Sequence, residues 1–311
     1  MNDYSNDLLE EALGLYNFTN PKADFIRHNE NITYSVTDGI NKYLFRIHAE
    51  AEELDFSFYR GNFDRETLIK SEIDLLNRLL VGNKITVQCP VKNKIGEYIY
   101  RLKNGYLVTV LSWLDGETLA HLEFTKELVF QIGQMTATLH KSIDILPSLN
   151  RCYYDDEFVD KFLAELKITN ELHHIPTETC DKIEKITTQL KRILKREKTN
   201  FTIVHSDMSK SNMIYNSGTI SPIDFSMCGY GIPEMDLGDL VFMIGNSELE
   251  HSLFTGYESV STHKINKDYL KICEAFGVIQ YILIHHKQLY SDERFQNKIA
   301  KWSTTIFDPL L

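Results

Sequence analysis

The 311-residue sequence lacks a disulfide framework, a signal-like N-terminus and a long hydrophobic run. Its five cysteines are scattered, and their odd number and the absence of a C-x-x-C pair argue against paired cysteines. A reducing, cytoplasmic location is therefore expected. The acidic N-terminus has no apolar core of signal length, and the most apolar late stretch, residues 276–284, is too short to span a bilayer. No membrane partner is expected.

Positive charge is also scarce, because 33 Lys and Arg against 44 Asp and Glu give a formal net charge of −11. Nucleic-acid backbones require a basic surface, so no nucleic-acid partner is expected. The apolar content of 43% and the charged content of 25% are typical of a globular protein. The length predicts one large domain or two modest ones, and the oligomeric state stays open.

The most informative stretch is residues 203–225, IVHSDMSKSNMIYNSGTISPIDF. Asp207 precedes Asn212 by five residues, and Asp224 follows twelve residues later. Between Asn212 and Asp224 the sequence predicts a β-hairpin whose turn contains Gly218. A hairpin returns its end near its start, so the three oxygen-bearing side chains can converge. Phosphoryl transfer needs such a set, with one carboxylate to deprotonate a hydroxyl and two oxygen ligands for Mg²⁺.

The pattern H-x-D-x4-N at His205, Asp207 and Asn212, followed by I-D-F around Asp224, resembles the signature of the aminoglycoside phosphotransferase and choline kinase family. This resemblance implies that Asp207 is the catalytic base and that Asn212 and Asp224 are the metal ligands. His205 is expected to support the loop by packing. Ser226 stands where eukaryotic protein kinases have a glycine, a departure common in the small-molecule branch.

The N-terminal part has the composition of a β-sheet with one main helix. The helix is predicted at residues 67–80 from its apolar stripe. Charged residues 49–65 are expected to form a connector before it. Five segments have strand character: residues 32–36, 43–47, 85–91, 98–101 and 106–111. The family resemblance implies that this region binds the nucleotide.

Arg46, on the segment 43–47, is the residue that the resemblance assigns to the nucleotide phosphates. Its planar fork suits bidentate phosphate binding. Glu72 on the following helix is expected to pair with Arg46, with Glu66 as the alternative. The turn at residues 27–31, which corresponds to the family's phosphate loop, contains no glycine, unlike a loop whose backbone closely surrounds phosphates.

Residues 111–117 resemble the hinge that reads the adenine edge in this family. Leu111, Trp113 and Leu114 are accordingly assigned to nucleotide binding, although Trp113 could equally be a core residue. Beyond about residue 119 the apolar period becomes 3.6, which predicts a helical region. The predicted helices cover residues 127–140, 157–172, 181–195, 269–290 and 295–307, with another after Pro233.

Asp236, in the first turn of the helix after Pro233, is expected to support the catalytic loop through hydrogen bonds to its backbone, with Asp239 as the second choice. Lys210 could contact a phosphate or remain a solvated loop residue.

Together these features imply a two-lobed, protein-kinase-like α+β fold. Its β-rich nucleotide-binding lobe would comprise residues 1–112, and its helical catalytic and acceptor-binding lobe residues 113–311. The implied reaction moves the γ-phosphoryl group of ATP, or of GTP, with Mg²⁺, to a hydroxyl of an aminoglycoside, amino alcohol, homoserine or sugar-like compound. Two alternatives stay open: a Ser/Thr protein kinase of the same fold, and a nucleotide-binding scaffold with little catalysis.

Overall fold

The computed structural model of the protein describes residues 3–49, 57–82, 84–142 and 148–311. Part of the predicted connector at residues 49–65 lies outside these ranges. The N-terminal region contains a five-stranded antiparallel sheet with the spatial order β1-β2-β3-β5-β4. Its strands are β1 (Lys22–His28), β2 (Ile32–Thr37), β3 (Lys42–His48), β4 (Ile99–Arg101) and β5 (Leu107–Ser112).

Two helices lie against this sheet and serve different purposes. Helix α1 (Asp3–Leu13) packs its apolar residues, including Leu8, against Phe45 and Val108 on one face. Helix α2 (Arg65–Gly82) instead shares a core with Leu111 and with residues of the C-terminal region. Helix α2 therefore joins the sheet to the rest of the molecule.

The predicted strand at residues 85–91 is wrong. This segment is irregular and makes one isolated bridge, between Pro90 and Leu111. Proline has no amide hydrogen to donate to a ladder, so regular pairing stops there. The fifth strand is β1, an edge strand with mostly exposed residues and hence no alternating apolar pattern to reveal it.

The C-terminal region is mainly helical. Its helices are α3 (Lys126–Lys141), α4 (Asp156–Glu171), α5 (Thr177–Glu197), α6 (Glu234–Ile244), α7 (Ser247–Val260), α8 (Lys267–Leu289) and α9 (Glu293–Trp302). Helix α7 was not predicted. The last helix ends at Trp302 and is followed by a π-helical turn (Ser303–Phe307) and a 3-10 turn (Asp308–Leu310). Within the described part of the chain, no helix is both long enough and apolar enough to cross a membrane.

Short strands position the loops between these helices. They are β6 (Glu117–Thr118), β7 (Thr202–Val204), β8 (Met213–Asn216), β9 (Thr219–Pro222) and β10 (Gly229–Gly231). Strands β8 and β9 form the predicted hairpin, with Asn216 opposite Thr219. Ser217 and Gly218 both have positive φ, as a two-residue primed turn requires.

The predicted α+β architecture is thus confirmed, with an antiparallel sheet in the N-terminal region and helices in the C-terminal part. A domain boundary between residues 112 and 113 stays a prediction.

Candidate active site

The loop after β7 is held in place by the buried carboxylate of Asp236. Its Oδ2 accepts the His205 backbone N–H at 2.8 Å, and its Oδ1 accepts the Ser206 N–H at 2.7 Å. His140 Nε2 lies 3.0 Å from the same Oδ2. Burial alone would raise the pKa of Asp236, but the hydrogen bond and charge of His140 and the neighbouring His205 hold it below its usual value. An ionised carboxylate therefore fixes the loop backbone.

His205 connects this loop to the end of the hairpin. Its buried ring lies 3.0 Å from the Ile223 carbonyl oxygen through Nε2, and the ring centroids of His205 and Phe225 are 4.8 Å apart. The chain on either side of the hairpin is thereby held together. This position agrees with a supporting role for His205, because its ring packs between the two loops.

Asp207 and Asn212 meet directly. The Asn212 side-chain nitrogen donates to Asp207 Oδ2 at 2.6 Å and to the Asp207 carbonyl oxygen at 3.2 Å. The remaining polar atom of the amide is its carbonyl oxygen, which is a hard ligand suited to Mg²⁺. Burial raises the pKa of Asp207 to about 6; the charge of His205 opposes this rise, and that of Asp224 adds to it.

Asp224 follows the hairpin in a left-handed backbone conformation, with φ of 63°. Its Oδ2 accepts a hydrogen bond from Arg27 Nη2 at 2.8 Å. Its Oδ1 is buried and has no partner among the residues that the structure describes. Although burial opposes ionisation, the charges of Arg27 and Arg46 hold the pKa of Asp224 below its usual value. An unpartnered, ionised oxygen at this point fits a cation.

The donor set fits a metal that is shared with a ligand. Across the described ranges, no group of three or more His, Cys, Asp or Glu residues is arranged to hold a metal. Mg²⁺, however, commonly takes one or two protein oxygens and completes its shell with phosphate and water. Asn212 and Asp224 supply that kind of partial set.

Arg46 and Glu72 form a buried ion pair, with Arg46 Nη1 2.9 Å from Glu72 Oε1 and each residue 4% exposed. Arg46 Nη2 is buried and has no partner within the described part of the chain. The alternative acid, Glu66, lies at the surface, where it pairs with Lys70 and Arg101. Glu72 is therefore the residue that orients Arg46.

A cleft of about 840 Å³ lies between the sheet and the helices. It is lined by Arg46, Asp207, Asn212, Asp224, Trp113, Leu114 and Lys210, and from α6 and α8 by Asp239, Phe242, Gln280, Tyr281 and His285. This volume is typical of small-molecule sites. The structure thus brings most of the predicted site residues to one cavity.

Leu111 begins the predicted hinge, in which the backbone is expected to read the adenine edge. It lies opposite Leu44 on the sheet, but its side chain is 1% exposed and packs in the core with α2. Because α2 covers this position, the Leu111 side chain does not line the cleft. Trp113 does reach the rim, where Lys42 Nζ lies 3.8 Å from its ring centroid.

Sequence reasoning missed Arg27, whose guanidinium contacts Asp224 and lines the cleft. The one available signal was an arginine at the start of a turn that lacks the glycines of a phosphate loop.

Comparison with known proteins agrees with this architecture. A sequence model described as "Phosphotransferase enzyme family" matches residues 25–264. Amicoumacin kinase from Bacillus subtilis (strain 168) is 21% identical over 250 residues, which cover 78% of this chain and 68% of that protein.

Two solved structures share the fold over almost their whole length. A microcompartment-associated aminopropanol kinase has a TM-score of 0.75 at 19% identity, covering 96% of this chain and 94% of its own. Amicoumacin kinase in complex with AMP-PNP, Ca²⁺ and Ami has a TM-score of 0.69 at 18% identity, covering 99% and 94%. The kinase-like form of the fold is thereby confirmed.

Proposed function

The chain belongs to the phosphotransferase enzyme family, as its resemblance predicted, and we propose that it transfers the γ-phosphoryl group of ATP or GTP to a hydroxyl of a small molecule. One observation carries the proposal: Asp207, Asn212 and Asp224 line a single cleft that Arg46 enters from the sheet. Catalysis would rest on positioning and on charge neutralisation. A cytoplasmic location, consistent with five free cysteines, is part of the proposal.

Asp207 acts on the acceptor in this scheme. Its carboxylate orients the hydroxyl and takes its proton. The hydrogen bond from Asn212 fixes the carboxylate, and a pKa of about 6 leaves it ionised at neutral pH. Asp236 holds the backbone of the same loop, so the base has little freedom to move.

The nucleotide end of the cleft is assigned to the sheet side. Arg46, oriented by Glu72, would contact the phosphates through its buried Nη2, which has no partner among the described residues. The Asn212 carbonyl oxygen and Asp224 Oδ1 would hold Mg²⁺, which when bound neutralises charge on the phosphates. Trp113 and Leu114 would flank the purine base of the nucleotide. The boundary near residues 112 and 113 would be the hinge between the two lobes.

The acceptor is assigned to the part of the cleft that α6 and α8 line, where polar and aromatic groups meet. Asp239, Gln280 and His285 offer polar atoms there, and Phe242 and Tyr281 offer rings. Relatives named as an amicoumacin kinase and an aminopropanol kinase also favour a small molecule over a protein substrate. Amino alcohols and amine-bearing antibiotics are therefore the first acceptors to test.

The Asp207→Asn variant tests the proposal. It should abolish turnover while the fold and ATP binding remain, because the amide keeps the shape but cannot accept the proton. Turnover is measured with Mg-ATP over amino alcohols, sugars, antibiotics and a generic protein substrate. Asp74→Asn, which changes a surface ion pair on α2, is the matched control. Wild-type turnover in Asp207→Asn would contradict the assignment of the base. ATP binding by the unsubstituted protein without turnover of any acceptor would favour the scaffold alternative.

A further inference from the structure

Two arginines belong to one row of side chains across the N-terminal sheet. The strand register places Arg27 opposite Thr33, Thr33 opposite Arg46, and Arg46 opposite Thr109. Residues directly opposite each other on antiparallel strands project from the same face of the sheet. Arg27 and Arg46 therefore share the face toward the cleft, and both line it.

A β-bulge is the reason that Arg27 lies on this face. Phe25 pairs with Tyr34, and their rings are 5.8 Å apart; Tyr34 packs in the core that α1 shares with the sheet. In a regular strand, residues two apart share a face, so Arg27 would lie on the side of Phe25, away from the cleft. The register shifts between Phe25 and Arg27, leaving Ile26 without an opposite residue. Bulges commonly redirect a side chain beside an active site.

Once redirected, the guanidinium of Arg27 meets Asp224 at 2.8 Å. Its side chain is 47% exposed, so nitrogen atoms remain available to a ligand in the cleft. Arg46 reaches the same region from the next strand but one and has one nitrogen without a partner in the described ranges. Two guanidinium groups thus converge near the carboxylate that is assigned to the metal.

The turn after β1 lacks the backbone donors that a glycine-rich phosphate loop would supply. Residues 29–31 are Asn, Glu and Asn, so no glycine lets the backbone approach a phosphate closely. A charged side chain can supply the missing donors, because a guanidinium binds phosphate oxygens through two parallel N–H bonds. The structure provides such a side chain at the end of β1.

We propose that Arg27 is a second phosphate-binding residue, which together with Arg46 contacts the β- and γ-phosphates of the bound nucleotide while it remains beside Asp224. The inference rests on the proposed function. The charged side chain of Arg27 takes the role that the backbone of a glycine-rich turn would otherwise have. The bulge at Ile26 directs this side chain toward the cleft. Affinity for the nucleotide should then depend on the number of phosphates that it carries.

A purely structural role makes a different prediction. If the Arg27–Asp224 ion pair only fastens the sheet to the hairpin, its loss should weaken binding of every adenine nucleotide alike. If Arg27 binds the outer phosphates, ATP and ADP should lose affinity while AMP does not. The comparison among these three ligands separates the two roles.

The test is calorimetric titration of ATP, ADP and AMP into full-length Arg27→Gln and Arg27→Lys, each combined with Asp207→Asn to prevent turnover. Titrations are repeated with EDTA and with Mg²⁺. Arg27→Gln should bind ATP and ADP about tenfold more weakly, as expected for loss of a hydrogen bond to a charged group, with AMP unchanged. Arg27→Lys, which keeps the charge, should lose less. The matched control is Arg101→Gln, which removes an exposed arginine from β4 of the same sheet. Arg101 pairs with Glu66 on α2, and this variant should bind the nucleotides normally.

Several results would overturn the inference. They are wild-type affinity for ATP in Arg27→Gln, an equal loss for ATP and AMP, and tighter binding of ATP, which would make the ion pair an obstacle. Circular dichroism and melting confirm that each variant is folded, and Arg27→Lys remains informative if Arg27→Gln is not. If the unsubstituted protein binds neither ATP nor GTP, the proposed function fails and this inference fails with it. If the protein binds the nucleotide with an affinity that does not depend on Arg27, this inference fails but the proposed function stands.

Discussion

Asp207 should set the pH dependence of the reaction. Burial raises its pKa to about 6, and the charge of Asp224 contributes to this rise. A general base must be deprotonated to act, so activity requires a pH above that value. We expect kcat/KM to fall about tenfold per pH unit below the pKa of Asp207 and to be level above it.

The measurement is kcat/KM for the acceptor at saturating Mg-ATP, from about pH 5 to about pH 8. Unfolding is followed over the same range, to separate titration of the base from acid denaturation. A profile that is flat across this range, or that falls as the pH rises through it, would contradict the assignment of Asp207 as the base.

The positions of some site residues could be predicted from the sequence, and those of others could not. The convergence of Asp207, Asn212 and Asp224 could be predicted, because their spacing around a hairpin is a local property. Arg27 could not, because its orientation depends on one extra residue in β1 that shifts the register. The assignment of Leu111 to the hinge stays a prediction, and only the packing of α2 shows that its side chain is covered.

At the scale of elements, α3 and α7 approach closely at a glycine. A Cβ atom added to Gly256 would lie 2.0 Å from the Phe130 carbonyl oxygen. The next residue, Tyr257, contacts His140 Nδ1 through its hydroxyl at 2.9 Å, and His140 contacts Asp236. The glycine therefore sets the position of a hydrogen-bonded chain that ends at the loop containing His205 and Ser206.

Gly256→Ala should destabilise the protein. Alanine favours a helix over glycine by up to about 1 kcal/mol, but overpacking of a tight contact costs roughly 1–3 kcal/mol, so the clash should prevail. The free energy of unfolding is measured by urea titration, and turnover should fall because Tyr257 is displaced. Glu258→Ala, at an exposed position of the same helix, should change stability by less than about 0.5 kcal/mol. A more stable Gly256→Ala would show that the helices can separate without loss.

Among the elements, those with local signals were predicted best. The hairpin of β8 and β9 is confirmed, since the residues of its turn determine it. The segment at 85–91 was misread because its apolar, β-branched residues resemble a strand, whereas Pro90 and the available partners decide pairing. Strand β1 is the reverse case, because its mostly exposed residues give no strand signal in the sequence. Pairing with β2 makes it a strand.

At the scale of the whole molecule, the two regions could be predicted because the apolar period changes from 2 to 3.6 near residue 119. The wall of the cleft that Phe242 on α6 and Gln280 and Tyr281 on α8 form could not be predicted. Those residues are far apart in sequence and meet only through helix packing. The identity of the acceptor is therefore the property that the sequence predicts least well.

A nucleotide bound in this cleft would contact both regions, so binding should stabilise the whole fold by mass action. At a ligand concentration about a hundredfold above Kd the gain is about 2.7 kcal/mol, which should raise Tm by several degrees. Part of that gain should require a divalent cation, because Asp224 Oδ1 is a buried oxygen without a partner among the described residues. The shift in Tm with ATP and Mg²⁺ should therefore exceed the shift with ATP and EDTA.

Asp224→Asn provides the decisive comparison for this metal. It weakens the cation site and also the ion pair with Arg27, so its Tm without nucleotide serves as its own baseline. With ATP, the variant should show nearly the same shift in Mg²⁺ as in EDTA, whereas Asp74→Asn should respond like the unsubstituted protein. Equal shifts in Mg²⁺ and EDTA for the unsubstituted protein would mean that the phosphates are held by Arg27 and Arg46 without a cation. The residual shift in EDTA contains the contacts that need no cation, and the two arginines contribute to it because neither guanidinium loses its charge at neutral pH.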